Sequence, residues 1–225
     1  MRMIEKLLFA LTICGLAAIG NASASVAAPK SGVEYETVSE AQRTDTGNKV
    51  EVIEFFSYAC PHCNHFDPLL AGWVKQNADK VAFKRVHVAF RENEVPLQRM
   101  YLTMDAMGIT EKYHAKVFGA IHDNQQPLFT DEQVFNWIEQ AGIDRTKFIS
   151  MYRGFSAQSW VNRAQATINT YNINSWPMVA IGGHYLTSPY YANRAAPTAG
   201  SETVQQQNAL QVMDFLVQKA KSEKK

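Results

Sequence analysis

Two thiols stand three residues apart at Cys60 and Cys63, around a Pro61-His62 pair, in the stretch EFFSYACPHCNHF over residues 54–66. Thiols at this spacing can hold a metal, staple the chain, or cycle between dithiol and disulfide. A closed zinc site usually takes a second ligand pair from far along the chain. His62 and His65 add two candidate donors nearby. There is no second cysteine pair, however, and His87, His114, His122 and His184 show no paired spacing. Covalent haem needs a histidine directly after the second cysteine, and residue 64 is Asn. As a staple, a four-residue ring is worth only about 2 kcal/mol. Redox cycling is the chemistry these residues suit best, with metal binding as the weaker alternative.

That chemistry has positional requirements. A sulfur at a helix N-terminus meets unpaired backbone N–H groups and the positive end of the helix dipole, which favour the thiolate. Cys60 is expected there, with Cys63 one turn in and less exposed. His62 can donate a hydrogen bond to the Cys60 thiolate or place positive charge near it; the alternative is a solvated surface residue. Stabilising the reduced form makes the disulfide a stronger oxidant. Glu54 interrupts an apolar strand six residues before Cys60. A carboxylate buried in a strand must be paired or hold its proton, and near Cys63 it could take and return that thiol's proton. Arg85 is the expected partner on the neighbouring strand, with Lys84 second, since strand faces alternate. A solvated edge is the alternative for Glu54. His65 reads as a helix-surface residue.

The elements that must position these groups follow from periodicity. Val50 to Phe56 is β-branched and aromatic, a buried strand. A helix follows from about Pro61 to Gln76, with proline at its first position and Pro68 expected to kink it. Val81 to Phe90 alternates as a second strand. Residues 97–172 are mostly helical. Leu97, Tyr101, Met104 and Gly108 recur at helical spacing, as do Val134, Trp137, Ile138 and Ala141 after a capping box of Thr130 with Gln133. Lys147 to Phe155 and Ser159 to Tyr171 continue the pattern. Met178 to Ile181, a two-residue Gly182-Gly183 turn and His184 to Leu186 read as a hairpin. A linker with Pro189, Pro197 and Gly200 leads to a helix over about 202–219. Strand–helix–strand units are parallel and right-handed. The expected fold is therefore α/β, a small mixed sheet with helices on both faces and a helical cap grown from one connection. Ser175-Trp176-Pro177-Met178 precedes the hairpin, and by composition alone its proline bond is expected trans.

The chain has 225 residues, 46% hydrophobic, with 22 basic and 21 acidic residues. That supports a substantial core and offers no nucleic-acid footprint. Arg2 and Lys6 precede an apolar run from Leu7 to Ile19, too short for an ordinary membrane span of about 20 residues, and Ala22-Ser23-Ala24 is a small-residue cleavage site. Residues 1–24 read as a secretory signal peptide, with Ala28 as the second choice of cleavage. Cleavage removes Cys14 and leaves only the Cys60–Cys63 pair. Residues 25–34 read as a flexible lead-in.

Together, "EFFSYACPHC", "FKRVHVAF" and "WPMVAIGGHY", in that order around a long helical block, resemble the DsbA family of periplasmic thiol:disulfide oxidoreductases over residues 34–219. The resemblance implies a thioredoxin fold, residues 25–96 and 173–225, with an α-helical domain inserted at 97–172. It implies that Pro177 is cis and faces the cysteines, with the Trp176 backbone offering hydrogen bonds to substrate. It also implies a monomeric periplasmic oxidase of reduced exported polypeptides, needing no cofactor beyond the Cys60–Cys63 disulfide, reoxidised by a quinone-linked membrane partner of the DsbB type. Trp176, where the family often has a small β-branched residue, and Arg85, where lysine is expected, depart from the pattern. An isomerase or reductase of the same fold is the nearest alternative, and a non-catalytic polypeptide-binding holdase is a further one.

Overall fold

A computed structural model describes residues 28–197 and 200–223. The leader 1–24, its cleavage site and Cys14 lie outside the described residues. In chain order the elements are β1 (Glu36–Thr37), β2 (Val50–Phe56), α1 (Pro61–Gln76), β3 (Val81–His87), α2 (Val95–Ala106), α3 (Thr110–His122), α4 (Asp131–Gln140), α5 (Arg145–Tyr152), α6 (Phe155–Thr170), β4 (Met178–Ile181), β5 (Tyr185–Thr187), α7 (Pro189–Ala192) and α8 (Glu202–Glu223). The sheet order is β1-β5-β4-β2-β3. Strand β2 pairs parallel to β3 and antiparallel to β4. The architecture is a thioredoxin fold with helices inserted between β3 and β4.

All seven residues of β2 are buried, because both sheet faces are covered. Val50 and Val52 pack with Phe66 and Leu70 of α1 and with Val212, Met213 and Leu216 of α8. Ile53 and Phe55 point the other way, to Ile168, Tyr171 and Met178. The run therefore reads as continuous rather than alternating hydrophobicity. At its end, Phe56 joins a third core built from the inserted helices, with Leu97, Met104, Phe118, Phe135 and both cysteines. The reactive turn thus sits on the seam between sheet and insertion.

Several expectations are corrected. Strand β3 stops at His87 rather than Phe90, because its partner β2 ends at Phe56, whose carbonyl accepts the Val88 N–H at 2.7 Å. The β4–β5 turn has three residues, not two: Ile181 pairs with Tyr185, and His184 lies in the turn. Gly183, at φ 74°, must be glycine, since a Cβ there would collide with the Gln42 carbonyl. The lead-in is ordered from residue 30, where Lys30 N–H donates to Glu34 and Gly32 N–H to the Tyr35 carbonyl. The stretch after β5 contains α7, capped by Ser188, whose hydroxyl accepts the Tyr191 N–H at 3.0 Å. The last helix runs four residues past Lys219. Helix α5 starts at Arg145, after Asp144, whose carboxylate accepts the Lys147 N–H as its cap, and ends at Tyr152, before Gly154. Pro68 lies within α1, which continues to Gln76. The Thr130–Gln133 capping box of α4 is present in both directions.

Candidate active site

Cys60 is the N-cap of α1. Its backbone is extended, Pro61 follows at the first helical position, and the sulfur accepts the Cys63 N–H at 3.3 Å. No acidic residue stands in this first turn, so the positive helix end is left to the sulfur. Both cysteines are free thiols. Cys60 is 8% exposed and Cys63 is fully buried. The expected order of exposure holds, with Cys60 more shielded than a surface position implies. Part of that shield is residue 176: the Cys60 thiol lies 3.8 Å from the Trp176 carbonyl oxygen, and the Trp176–Pro177 bond is cis.

The two thiols are pushed in opposite directions. A hydrogen bond from the Cys63 thiol is the largest influence on Cys60. With the Cys63 N–H and the His62 imidazole it outweighs burial and brings the Cys60 thiol down to about 7. Burial, then the Cys60 sulfur beside it, pushes Cys63 well above an ordinary thiol. A thiolate is therefore stable at Cys60 and costly at Cys63.

His62 is corrected in detail. Its ring, 71% exposed, does not bond the sulfur; Nδ1 lies 2.7 Å from Glu202 of α8. The hydrogen bond to Glu202 raises the His62 pKa above its ordinary value, which favours the charged ring, and that charge acts on Cys60 through space rather than by a side-chain hydrogen bond. His65 is a surface residue as expected, but it too is held by Glu202, at 3.0 Å.

Beneath the thiols, Glu54 is 1% exposed and stands opposite Arg85 in the β2–β3 register. Arg85 Nε donates to Glu54 Oε2 at 2.9 Å; Lys84 points away, to Glu51. The same guanidinium reaches Asp67 of α1 at 3.2 Å and Glu111 of α3 at 3.1 Å. A planar five-donor fork can serve three carboxylates at once, which an ammonium on a flexible stem does less well. Burial pushes the Glu54 carboxyl up to about 7 against the pull of Arg85, and Asp67 adds to the rise. Glu54 is one of the charges that raise Cys63. Among the described residues, Glu54 Oε1 is a buried oxygen without a hydrogen-bond partner. It is free to carry a proton. Beyond Asp67 lies His114, whose Nε2 is 3.1 Å from the Asp67 carboxylate and whose Nδ1 is 2.8 Å from the Tyr58 hydroxyl.

On the open side, Trp176 packs on Phe90, which is 68% exposed, with ring centroids 5.5 Å apart. A groove of about 700 Å³ runs past His62, Trp176, Pro177, Tyr190, Tyr191 and Glu202. Among the described residues no cluster of three or more His, Cys, Asp or Glu is arranged to hold a metal ion.

A family model described as "Thioredoxin" matches residues 43–196. A thiol:disulfide interchange protein DsbA of Burkholderia cepacia is 39% identical over 222 residues, covering 98% of this chain and 99% of the relative. The chain belongs to the DsbA family. The DsbA of Bordetella parapertussis is 36% identical over 181 residues, 79% of this chain and 86% of its own. The crystal structure of Pseudomonas aeruginosa DsbA superposes with a TM-score of 0.77 at 27% identity, covering 87% of this chain and 96% of that one. Like its DsbA relatives, the chain is a thiol:disulfide oxidoreductase with a C-x-x-C pair at Cys60 and Cys63.

Sequence reasoning missed Asp67, His114 and Glu202. Each is a titratable side chain brought to the site from another turn or helix, and only the spacing of Asp67, one helical turn beyond Cys63 on α1, hinted at it.

Proposed function

We propose that this DsbA-family chain is an oxidase of exported polypeptides, working in the periplasm after loss of a leader at residues 1–24. The sulfurs belong to the thioredoxin-like part, residues 25–96 and 173–225, and the helical block 97–172 closes over their buried side. In the reaction a substrate thiolate attacks Cys60 Sγ. The Cys60–Cys63 bond breaks, its electron pair leaves on Cys63, and a mixed disulfide forms at Cys60. Glu54, which holds a proton near neutral pH, protonates Cys63, while Arg85 fixes the carboxyl in place. A second substrate thiolate then attacks the substrate sulfur. Cys60 leaves as a thiolate favoured by the helix N-terminus and the His62 charge, and the substrate departs with a new disulfide. Pro61 sets the start of the helix. Trp176 and Pro177 offer main-chain groups beside Cys60 to which an extended substrate can pair. Reoxidation falls to a quinone-linked membrane partner of the DsbB type.

The observation that carries this reading is the opposite displacement of the two thiols, low at Cys60 and high at Cys63. The test is the redox potential of the pair against glutathione. An oxidase has a disulfide more oxidising than the glutathione couple, and His62→Asn brings it closer to glutathione. A strongly reducing pair assigns the chain to reduction instead. An unchanged potential in His62→Asn removes His62 from the account.

A further inference from the structure

Glu202 opens α8, far along the chain from the cysteines. Its two carboxylate oxygens are each taken by a histidine of α1: Oε1 lies 2.7 Å from His62 Nδ1, and Oε2 lies 3.0 Å from His65 Nδ1. One turn on, the buried Gln206 places Nε2 3.3 Å from Glu202 Oε1 and 3.5 Å from the His62 backbone oxygen. The first turns of α1 and α8 are tied together at the residue between the two sulfurs.

Resting on the role of His62 given above, we propose that Glu202 is a positioning residue for the oxidase reaction. It fixes the His62 ring and its positive charge beside Cys60, and so makes the Cys60 thiolate a better leaving group. Three observations support this. The hydrogen bond to Glu202 raises the His62 pKa, so it favours the charged ring beside Cys60, whose own pKa that charge helps to lower. Burial pushes the Glu202 carboxyl up, but the hydrogen bonds from His62 and His65 outweigh it and hold Glu202 ionised. Among the described residues, Glu202 is the carboxylate that acts on the ring. At the start of α1 the Cys60 sulfur also acts on it, and His65 shares its Glu202 partner. From the stretch after β5, Tyr190, Tyr191 and Arg194 line the same groove, and Arg194 is itself held by Glu36 at 3.1 Å and lies over the Tyr191 ring. Trp176 and Pro177 complete the wall without charge.

The sign of the effect separates this role from a direct one. A carboxylate acting on the sulfur through space disfavours the thiolate, so its removal lowers the Cys60 pKa. A carboxylate acting through His62 favours the thiolate, so its removal raises it. The experiment uses Glu202→Gln, Glu202→Asp, His62→Asn and the double variant Glu202→Gln/His62→Asn. Cys60 is titrated by thiolate absorbance, His62 by NMR, and the equilibrium with glutathione is measured across pH. In Glu202→Gln the His62 pKa falls and the Cys60 pKa rises. The protein becomes about two- to fivefold less oxidising at neutral pH, the worth of an exposed ion pair. The gap closes below the ordinary histidine range, where His62 is charged in both proteins. Glu202→Asp recovers most of the loss, and Glu202→Gln changes nothing in the His62→Asn background. A Cys60 titration that stays put or falls in Glu202→Gln, or an equal shift in both backgrounds, overturns the proposal while leaving the His62 assignment intact. If His62→Asn alone leaves Cys60 unmoved, the His62 assignment itself fails and the proposal with it.

Discussion

The rim and the floor of the site share one helical turn and treat charge in opposite ways. At the rim, Cys60, His62 and Glu202 lie near water and at the positive end of α1, and charge is easily carried there. On the floor, Cys63, Glu54, Arg85, Asp67 and His114 have buried side chains, with the Phe56 ring 5.0 Å from His114 and Arg85 over the Phe83 ring. There each charge must be matched or neutralised. The contrast shows how two identical side chains three residues apart are set in unlike surroundings: the thiolate is favoured at Cys60 and disfavoured at Cys63.

The largest effect that could break this contrast is loss of a sulfur. Cys60→Ser should abolish disulfide formation in a model thiol substrate. Cys63→Ser should instead accumulate a substrate linked to Cys60, visible by non-reducing electrophoresis and mass spectrometry. Trapping by Cys60→Ser would exchange the two roles. Next is Arg85→Met, which leaves Glu54 and Asp67 buried without their shared cation. Urea unfolding should show a loss of about 3–5 kcal/mol, the cost of breaking a buried pair, against less than about 1 kcal/mol for an exposed pair at the rim.

A third prediction concerns pH. Glu54 binds its proton more tightly in the folded chain, at about 7, than in the unfolded chain, at about 4.3. Its contribution to stability is therefore present below the unfolded value and fades as pH rises through the folded one, by roughly 4 kcal/mol in all. Burial holds His87 down to about 3, so its contribution has the opposite slope and is lost as pH falls through that value. Unfolding of wild type minus Glu54→Gln across pH isolates the floor carboxyl, and a difference that does not vary with pH would refute the buried proton. The smallest effect calibrates the others. Thr130→Ala removes the α4 cap, far from both rim and floor, and should cost about 1 kcal/mol with no change in redox potential.

Much of this was legible in the chain itself, and the particulars show why. Helix α1 falls on Pro61–Gln76 as read, because proline, an apolar stripe and a strand end all mark it. The Glu54–Arg85 pair follows from a charge deep in an apolar strand and the alternation of the next one, which sends Lys84 to Glu51 instead. The capping box of α4 is a local pattern and is found where expected. Misses arise where position depends on partners elsewhere. Strand β1 has two residues and exists only as the neighbour of β5, so it has no period to detect. The end of β3 is fixed by the end of β2, not by its own alternation. The His62 contact depends on Glu202, 140 residues away, and nothing between them announces that α8 returns to the first turn of α1.

That return has a consequence for biogenesis. Helix α8 follows every strand in the chain, and it supplies both the clasp on His62 and, through Val212, Met213 and Leu216, one cover of the sheet. During synthesis the cysteine turn emerges early and waits through the whole helical block for this late segment. A nascent copy therefore holds its thiols before it holds the Glu202 contact on His62, and by the role proposed for Glu202 its thiol chemistry is complete only when α8 has docked.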